Sequence, residues 1–274
     1  MAVSSDQARD LDNLLDNLAA RFDGPGVSAI ALMGSHARGE AGPFSDIDLL
    51  RLVMGPDKPP GDGSHWIGER LVTVSTRIWQ ELETIFQEPE EACNYLLGLQ
   101  TARILVDREG RFAAVQRRAR DFRWDEAMQA RANRCAAAAL VGWIEEVHKG
   151  LEGLRRRDVG RLLHAAFGMS WGLSRVVMVQ RGVLQASDND IWRTLNEAVG
   201  PETRWARLRR AAFGLETDAA PPPPLEEQVR AGLALYGETV ALMEDALPEP
   251  EREMILATVE RIRLALGESR YAST

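Results

Sequence analysis

The 274-residue chain has few cysteines, no long apolar run and no excess of positive charge. Each of these absences argues against one class of protein. Its two cysteines, Cys93 and Cys135, lie far apart in apolar, helix-like segments. This placement predicts two buried thiols in a reducing compartment, without a disulfide framework or a zinc site. No run reaches the roughly 18 apolar residues of a membrane-spanning helix, and residues 1–23 lack the regions of a signal peptide. We therefore expect a soluble, cytoplasmic protein that does not insert into a membrane.

Positive charge is also in deficit, because 33 Lys and Arg face 41 Asp and Glu, which gives a formal net charge of −8. A balance of this sign disfavours a long polyanion such as a nucleic acid and fits a cationic or neutral partner better. The arginines at 155–157 and those between 204 and 210, around Trp205, are interpreted as the solvated faces of amphipathic helices rather than as nucleic-acid contacts.

The first part of the chain has an α/β pattern. A helix over residues 6–22, capped by Ser4 or Ser5, is predicted by a one-sided stripe of Leu11, Leu14, Leu15, Leu18 and Ala19. Three strands are predicted from short apolar or alternating runs, at 27–33, 46–53 and 69–75. Further helices are predicted from 75 or 76 to 86, at 90–100 and at 110–120, with an edge strand at 103–106.

From Trp124 onwards, helical periodicity replaces strand alternation, which predicts an all-α bundle. The expected helices cover 126–156, 159–181, 188–199, 202–213, 225–247 and 251–266. The four prolines at 221–224 form an extended spacer inside this second domain. Four tryptophans, 143, 171, 192 and 205, are expected to pack the bundle core. The sequence therefore predicts an α/β (α+β) domain with a small mixed sheet over 1–122, followed by a helical, acceptor-binding domain over 123–274.

One segment, residues 34–49 with the sequence GSHARGEAGPFSDIDL, carries the chemistry. Gly34 ends an apolar strand and lets the backbone approach a ligand, while Ser35 and the amides of the next turn suit phosphate oxygens. Arg38 adds positive charge there. Asp46 and Asp48 are two residues apart in a strand, so both carboxylates point to one face, and such a pair is a typical Mg²⁺ site.

This segment resembles the nucleotidyltransferase motif of the polymerase-β superfamily, with Gly34, Ser35, Arg38, Ser45, Asp46 and Asp48 at the matching positions. The resemblance implies Mg²⁺, ATP or another nucleoside triphosphate as donor, and an acceptor hydroxyl that attacks the α-phosphorus. The layout, a short catalytic domain followed by a helical bundle, resembles kanamycin nucleotidyltransferase and related aminoglycoside-modifying enzymes, which implies a small acceptor, transfer of AMP and antibiotic resistance. Related enzymes can also build the site across a homodimer.

The chain departs from that family at one position, since the usual third carboxylate is replaced by threonine in Val72-Thr73-Val74. By strand alternation Glu69 lies on the same face as Thr73 and is the candidate substitute. For the general base the candidates are Glu145 and Glu146, with Glu152 a weaker third, although an ordinary solvated glutamate is the commoner situation.

Three hypotheses stay open at this stage. The first is an adenylyltransferase that acts on a small molecule such as an aminoglycoside. The second is a catalytically impaired regulatory protein that binds a nucleotide and uses its bundle for a protein partner. The third is an enzyme that modifies a protein side chain or an RNA end, and the net charge argues against RNA.

Overall fold

The computed structural model describes residues 5–57, 59–215 and 222–267, and only the backbone of residues 5–9. The chain divides into two compact units. The first consists of Met1–Arg123 together with a short returning segment, Leu184–Asp188, and the second of Trp124–Val183 and Asn189–Thr274. The predicted helix cap at Ser4 lies outside the described residues, and Ser5 is already part of the first helix.

The first unit is built on a five-stranded mixed sheet. Its elements are α1 (Ser5–Phe22), β1 (Val27–Met33), α2 (Gly34–Arg38), β2 (Ile47–Val53), β3 (Gly63–Ile67), β4 (Arg70–Ile78), α3 (Glu81–Gln87), α4 (Pro89–Thr101), β5 (Arg103–Asp107) and α5 (Arg111–Asp121). The strand order is β3-β4-β2-β1-β5. The β2–β4 pair is parallel and the other pairs are antiparallel. The predicted α/β fold with a small mixed sheet is confirmed.

Apolar side chains cover both faces of this sheet. On one face, Leu15 and Leu18 of α1 pack with Ile47 and Leu49 of β2. On the other face, Leu50 and Leu52 pack against helices α3, α4 and α5. Because side chains alternate along β2, Asp48 lies on the same face as Leu50 but at the beginning of the strand. The buried strand therefore holds this acid in a fixed position at the end of the core.

Two predictions in this unit are wrong. Strand β3 was not expected, because its side chains are mostly exposed and show no apolar face. The helix expected from 75 or 76 does not begin there, since β4 continues to Ile78 and α3 begins at Glu81. Thr76 keeps the strand conformation because its hydroxyl is buried and accepts a hydrogen bond from Nε of Arg51 at 2.8 Å.

The second unit is helical throughout its described residues. Its helices are α6 (Glu126–Gly142), α7 (Ile144–Arg156), α8 (Val159–Gln180), α9 (Ile191–Val199), α10 (Arg204–Ala212), α11 (Leu225–Ala241) and α12 (Glu251–Leu266), and a 3-10 turn at Glu244–Ala246 follows α11. The prediction of a single helix over 126–156 is wrong, because α6 ends at Gly142 and α7 begins at Ile144, with Trp143 between them. The Trp143 ring lies against Gly172 of α8, so closely that a Cβ on Gly172 would overlap with the ring. The interruption between α6 and α7 therefore lies where the indole packs on α8.

Two expectations about bundle side chains need correction. Trp205 is buried, but Trp171 is 44% exposed and does not belong to the buried core. Arg209, expected on a solvated face, is fully buried and its guanidinium lies over the rings of Trp192 and Trp205. Arg209 can be buried because its N–H groups donate to protein acceptors, among them the hydroxyl of Ser174 and the carbonyl of Trp192.

Helix α8 is the one described helix whose length and composition would allow it to cross a membrane. The helix was predicted over 159–181, but its apolar residues are interrupted by polar ones and form no run of about 18. In the structure 72% of its apolar window is buried inside the protein. A core helix of a bundle passes the same test of length and composition.

Candidate active site

Gly34 and Asp48 meet where strand β1 gives way to α2. Gly34 has a positive φ of 65°, which favours glycine, and a Cβ at this position would overlap with Oδ2 of Asp48. The antiparallel register places Met33 opposite Asp48, so the chain turns away directly beside the carboxylate. Any larger residue at position 34 would displace the acid, and the glycine is therefore part of what holds Asp48 in place.

Asp46 and Asp48 lie side by side, as the spacing predicted. Asp46 comes directly before β2 and Asp48 is its second residue. Burial, followed by the neighbouring charge of Asp46 and a hydrogen bond to it, raises the pKa of Asp48 from 3.8 to about 6, and Arg38 opposes this rise. Two carboxylates held this close repel one another when both are ionised. A divalent cation between them would remove that repulsion.

Thr73 occupies the position of the missing third acid. It pairs with Asp48 across the parallel β2–β4 ladder, and its hydroxyl donates a hydrogen bond to Oδ2 of Asp46 at 3.1 Å. The side chain thus faces the two carboxylates, and the strand needs no bulge to bring it there. A hydroxyl can hydrogen-bond to this pair, but it brings no negative charge.

Glu69 does not lie where the sequence argument placed it. It is an exposed residue of the turn between β3 and β4, and β4 begins only at Arg70. The expected alternation with Thr73 along one strand face therefore does not apply. The position nearest to the pair on β4 belongs to Thr73.

The loop between α2 and β2 is organised by its own polar groups. Arg38 forms an ion pair with Glu40 at 2.7 Å and donates to the carbonyl of Ala186 at 3.1 Å. Ser45 accepts a hydrogen bond from the amide of Gly42 at 2.9 Å, so its hydroxyl closes the loop. Ser35 lies in the short helix α2, whose residues are only partly buried. The structure gathers these motif residues around the start of β2.

Three residues of this region carry signals that sequence reasoning passed over. His36 hydrogen-bonds to the backbone of Ser45, and its Nε2 is buried with no partner among the described residues. Burial, and after it the charge of Arg70, lower the pKa of His36. Arg70 therefore lies close enough to act on this loop. Phe44 is fully exposed two residues before Asp46, a position that offers the ring no packing partner.

Glu145 and Glu146 belong to the helical unit and differ sharply from each other. Glu145 is exposed and pairs with Lys149 at 2.9 Å. Glu146 is buried, accepts a hydrogen bond from Nζ of Lys149 at 2.7 Å and lies 3.1 Å from Nδ1 of His164. The ordinary solvated glutamate favoured by sequence reasoning describes Glu145 and is wrong for Glu146. Both remain predictions as general bases.

The acid pair fits a Mg²⁺ ion with incomplete protein ligation. Asp46 and Asp48 supply two carboxylates, and Mg²⁺ is commonly held by one or two carboxylates together with water and phosphate oxygens. Over residues 5–57, 59–215 and 222–267, no group of three or more His, Cys, Asp or Glu side chains is arranged as a metal site. An ion here would complete its octahedron with water and phosphate, and a second ion would have few ligands.

Comparison with known proteins defines the class of the first unit. Residues 11–91 match the family model of the nucleotidyltransferase domain, so the chain carries an N-terminal nucleotidyltransferase domain followed by a mostly helical region. The match contains Gly34, Asp46, Asp48 and Thr73. The predicted resemblance to the superfamily is thereby confirmed at the level of this domain.

Two particular proteins are similar to the chain. A bifunctional uridylyltransferase/uridylyl-removing enzyme of Nitrosospira multiformis is 30% identical over 105 residues, which are 34% of this chain. The chain spans only 11% of the length of that enzyme. The crystal structure of a nucleotidyltransferase-like protein from Exiguobacterium sibiricum overlaps with 94% of this chain and 92% of its own, at 13% identity and a TM-score of 0.47. Likeness at that level does not bear on function.

Proposed function

We propose that this protein is a Mg²⁺-dependent enzyme that transfers a nucleoside monophosphate from a nucleoside triphosphate to an acceptor hydroxyl. The observation that carries the proposal is the convergence of Asp46 and Asp48 beside Gly34. The match of the surrounding residues to the nucleotidyltransferase domain supports it independently. A partly buried pair of acids with a raised pKa, at a position where only glycine fits beside it, is typical of a functional site.

In the proposed reaction the acceptor oxygen forms a bond to the α-phosphorus, and the bond from that phosphorus to the bridging oxygen breaks. Pyrophosphate leaves, and the hydroxyl proton passes to a general base, for which Glu145 and Glu146 are the candidates. Asp46 and Asp48 would hold the cation, which when bound would supply positive charge beside the phosphates. Gly34, Ser35 and Arg38 face the triphosphate, and Ser45 keeps their loop closed.

The finer parts of the proposal concern substrates and setting. ATP is the proposed donor and AMP the transferred group, and the named activity of the Nitrosospira relative makes UTP the alternative donor. A small acceptor of the aminoglycoside type agrees with the net charge of −8, because an acidic protein attracts cations. Such an activity would confer antibiotic resistance. We further propose that the protein acts in the cytoplasm, without nucleic acid or membrane, as a monomer or homodimer.

A second candidate function rests on Thr73. With a hydroxyl in place of the third carboxylate, the domain would hold a nucleotide and one cation but would transfer slowly or not at all. Such a protein would act by binding, as a nucleotide-dependent regulatory partner of another protein.

A transfer assay separates the two candidates. The purified protein is incubated with Mg²⁺, with ATP or UTP labelled at the α-phosphate, and with a panel of aminoglycosides or a bacterial protein extract. Under the enzyme proposal the label moves to an acceptor, and Asp48→Ala reduces the rate at least 100-fold, since metal ligation supplies several kcal/mol of stabilisation. Asp57→Ala, an exposed acid of the loop after β2, is the matched control and keeps the rate. Nucleotide binding without any labelled acceptor would refute the enzyme proposal in favour of the binding function.

Thr73→Asp tests the role of the missing acid directly. The new carboxylate would stand beside Asp46, where the threonine hydroxyl now donates at 3.1 Å. We expect tighter Mg²⁺ binding by roughly tenfold, measured by calorimetry, because an added anion in a cation site contributes about 1–2 kcal/mol. Glu69→Gln is the control and leaves Mg²⁺ affinity unchanged. Unchanged affinity in Thr73→Asp would contradict the assignment of this position.

A further inference from the structure

A cavity of about 270 Å³ extends away from Asp48 within the first unit. Its floor is formed by Thr73, Ser75 and Arg77 on β4, and its roof by residues of α3 and α4, among them Leu82 and Tyr95. Met33, Leu50, Ile85 and Leu99 make the remaining walls mostly apolar. Drug-sized ligands occupy pockets of about 300–1,000 Å³, so this cavity suits a smaller, ring-sized group.

The position of the cavity relative to Asp48 decides which substrate it would take. Strand β2 is flanked by β1 on one side and by β4 on the other, and Asp48 pairs with Met33 and with Thr73. The phosphate-facing residues, Gly34 and Ser35, follow β1. Phosphoryl transfer places the entering and leaving oxygens roughly in line, so the acceptor approaches from the side opposite to the pyrophosphate. The cavity follows β4 from Thr73 to Arg77, and its lining residues include neither Gly34 nor Ser35.

Polar groups at the mouth of the cavity are held in place by their neighbours. The guanidinium of Arg77 lies 4.3 Å from the ring centre of Tyr95, and its NH1 lies 3.4 Å from the carboxylate of Glu91. Ser75, on the same strand, is exposed at the opening. The cavity thus has mostly apolar walls, the acid Asp48 in its lining, and two polar side chains, Ser75 and Arg77, of which Arg77 is held by its neighbours, which is the usual character of a small-molecule site.

We propose that this cavity is the acceptor subsite and that it takes a six-membered ring of mostly apolar character whose hydroxyl is directed towards Asp48. The inference rests on the proposed transfer reaction, and it replaces the aminoglycoside-type acceptor proposed above with a less polar ring. Ser75 and Arg77 are the specificity-determining residues at the opening. The apolar walls bury the ring and stabilise it in place of water.

Filling the cavity tests the inference. Ser75→Leu places an apolar side chain in the opening, and Thr101→Leu, at the exposed end of α4, is the matched control. The probes are cyclohexanemethanol and benzyl alcohol at millimolar concentration, followed by saturation-transfer NMR. We expect binding to the wild type and to Thr101→Leu, and at least tenfold weaker binding to Ser75→Leu. Absence of binding to the wild type, or equal binding by all three proteins, would overturn the acceptor subsite.

A second measurement keeps this inference separate from the proposed function. The affinity for ATP with Mg²⁺, measured by calorimetry, should agree within twofold between the wild type and Ser75→Leu. Loss of nucleotide binding in the wild type would refute the proposed function, whatever the ring alcohols do. A Ser75→Leu protein that loses both ligands together would overturn the inference, because the cavity would then not be a subsite separate from the donor.

Discussion

In the first unit, Asp46 and Asp48 lie together at the start of β2, and Arg38, whose charge acts on Asp48, makes its ion pair with Glu40. In the helical unit a buried charge is treated differently. Arg209 donates to Ser174, to Asn196 and to the carbonyls of Ile191 and Trp192 at 2.9–3.4 Å. Burial lowers its pKa to about 10, so it stays charged at neutral pH. Each guanidinium nitrogen of Arg209 has an acceptor, whereas the acid pair has only the charge of Arg38 and one hydroxyl donor. We interpret the first arrangement as structural and the second as a ligand site.

The largest expected effect on stability comes from replacing Arg209. Arg209→Leu leaves the acceptors on α8 and α9 unpaired and empties the space over the Trp192 ring, and we expect a loss of about 3 kcal/mol in the free energy of unfolding. Arg210→Leu, one residue along on the exposed face of α10, is the matched control and should change it by less than about 0.5 kcal/mol. Urea denaturation followed by tryptophan fluorescence measures both. Equal stability of the two variants would show that the buried arginine is not structural.

Removing a charge from the acid pair should have the opposite effect and increase the free energy of unfolding. Because the pKa of Asp48 is raised from 3.8 to about 6, its ionisation opposes folding, and the stability present below pH 4 is lost as the pH rises through 6. Without divalent cations, Asp48→Asn should therefore be more stable than the wild type by about 1–2 kcal/mol at pH 7.5 and equally stable near pH 4.

Thermal unfolding in EDTA between pH 4 and 8 measures this difference. Asp57→Asn, in an exposed loop, is the control and should follow the wild type at every pH. Mg²⁺ with ATP should stabilise the wild type and reverse the order. If the wild type is more stable than Asp48→Asn at pH 7.5 in EDTA, the ionised pair of Asp46 and Asp48 does not destabilise the fold, and this interpretation is wrong.

Glu146 lies between these two extremes. It is buried but has Lys149 and His164 as partners, so Glu146→Ala should cost about 1 kcal/mol of stability, whereas Glu145→Ala, on the exposed side of α7, should leave stability nearly unchanged. Thermal unfolding of the two variants is the measurement. If Glu145→Ala is the more destabilising change, the buried pairing of Glu146 has no structural role.

Phe44 has the smallest expected effect on stability. Its side chain is fully exposed, so Phe44→Ala should change the free energy of unfolding by less than about 0.5 kcal/mol. Because the ring is two residues from Asp46 and fully exposed, we expect it to contact the donor base. Nucleotide affinity, measured by calorimetry, should fall about threefold to tenfold, as one aromatic contact contributes about 0.5–1.5 kcal/mol. An unchanged affinity would show that this ring serves no donor.

The sequence was most informative where a local pattern and the tertiary environment agree. The apolar run of β1 and the β-like run of β2 predicted both strands to within one residue, because their side chains enter a core. Strand β3 was not predicted because it is an exposed edge strand. Its conformation depends on pairing with β4 and not on burial of an apolar face. The helix break at Trp143 was missed for a related reason, as it depends on a glycine of α8 that is distant in sequence.

For the site, spacing predicted that Asp46 and Asp48 share a face but gave no account of their surroundings. The overlap of Gly34 with Asp48 joins two motif residues that were assigned separate roles. The position of Glu69 in a turn depends on where the β3–β4 hairpin closes, and that cannot be predicted once β3 is missed. The cavity under α3 and α4 depends on helix packing, which leaves no local signal in the residues that line it.

The returning segment Leu184–Asp188 has a consequence for dissecting the protein. Leu184 packs on the core of the first unit, and the amide of Gln185 donates to the carbonyl of Cys93 at 3.0 Å while its side chain donates to Asn94 at 3.0 Å. A single cut after Arg123 would therefore deprive the nucleotidyltransferase domain of a piece of itself. Anyone who wishes to express that domain alone would have to graft these five residues back, for instance by circular permutation.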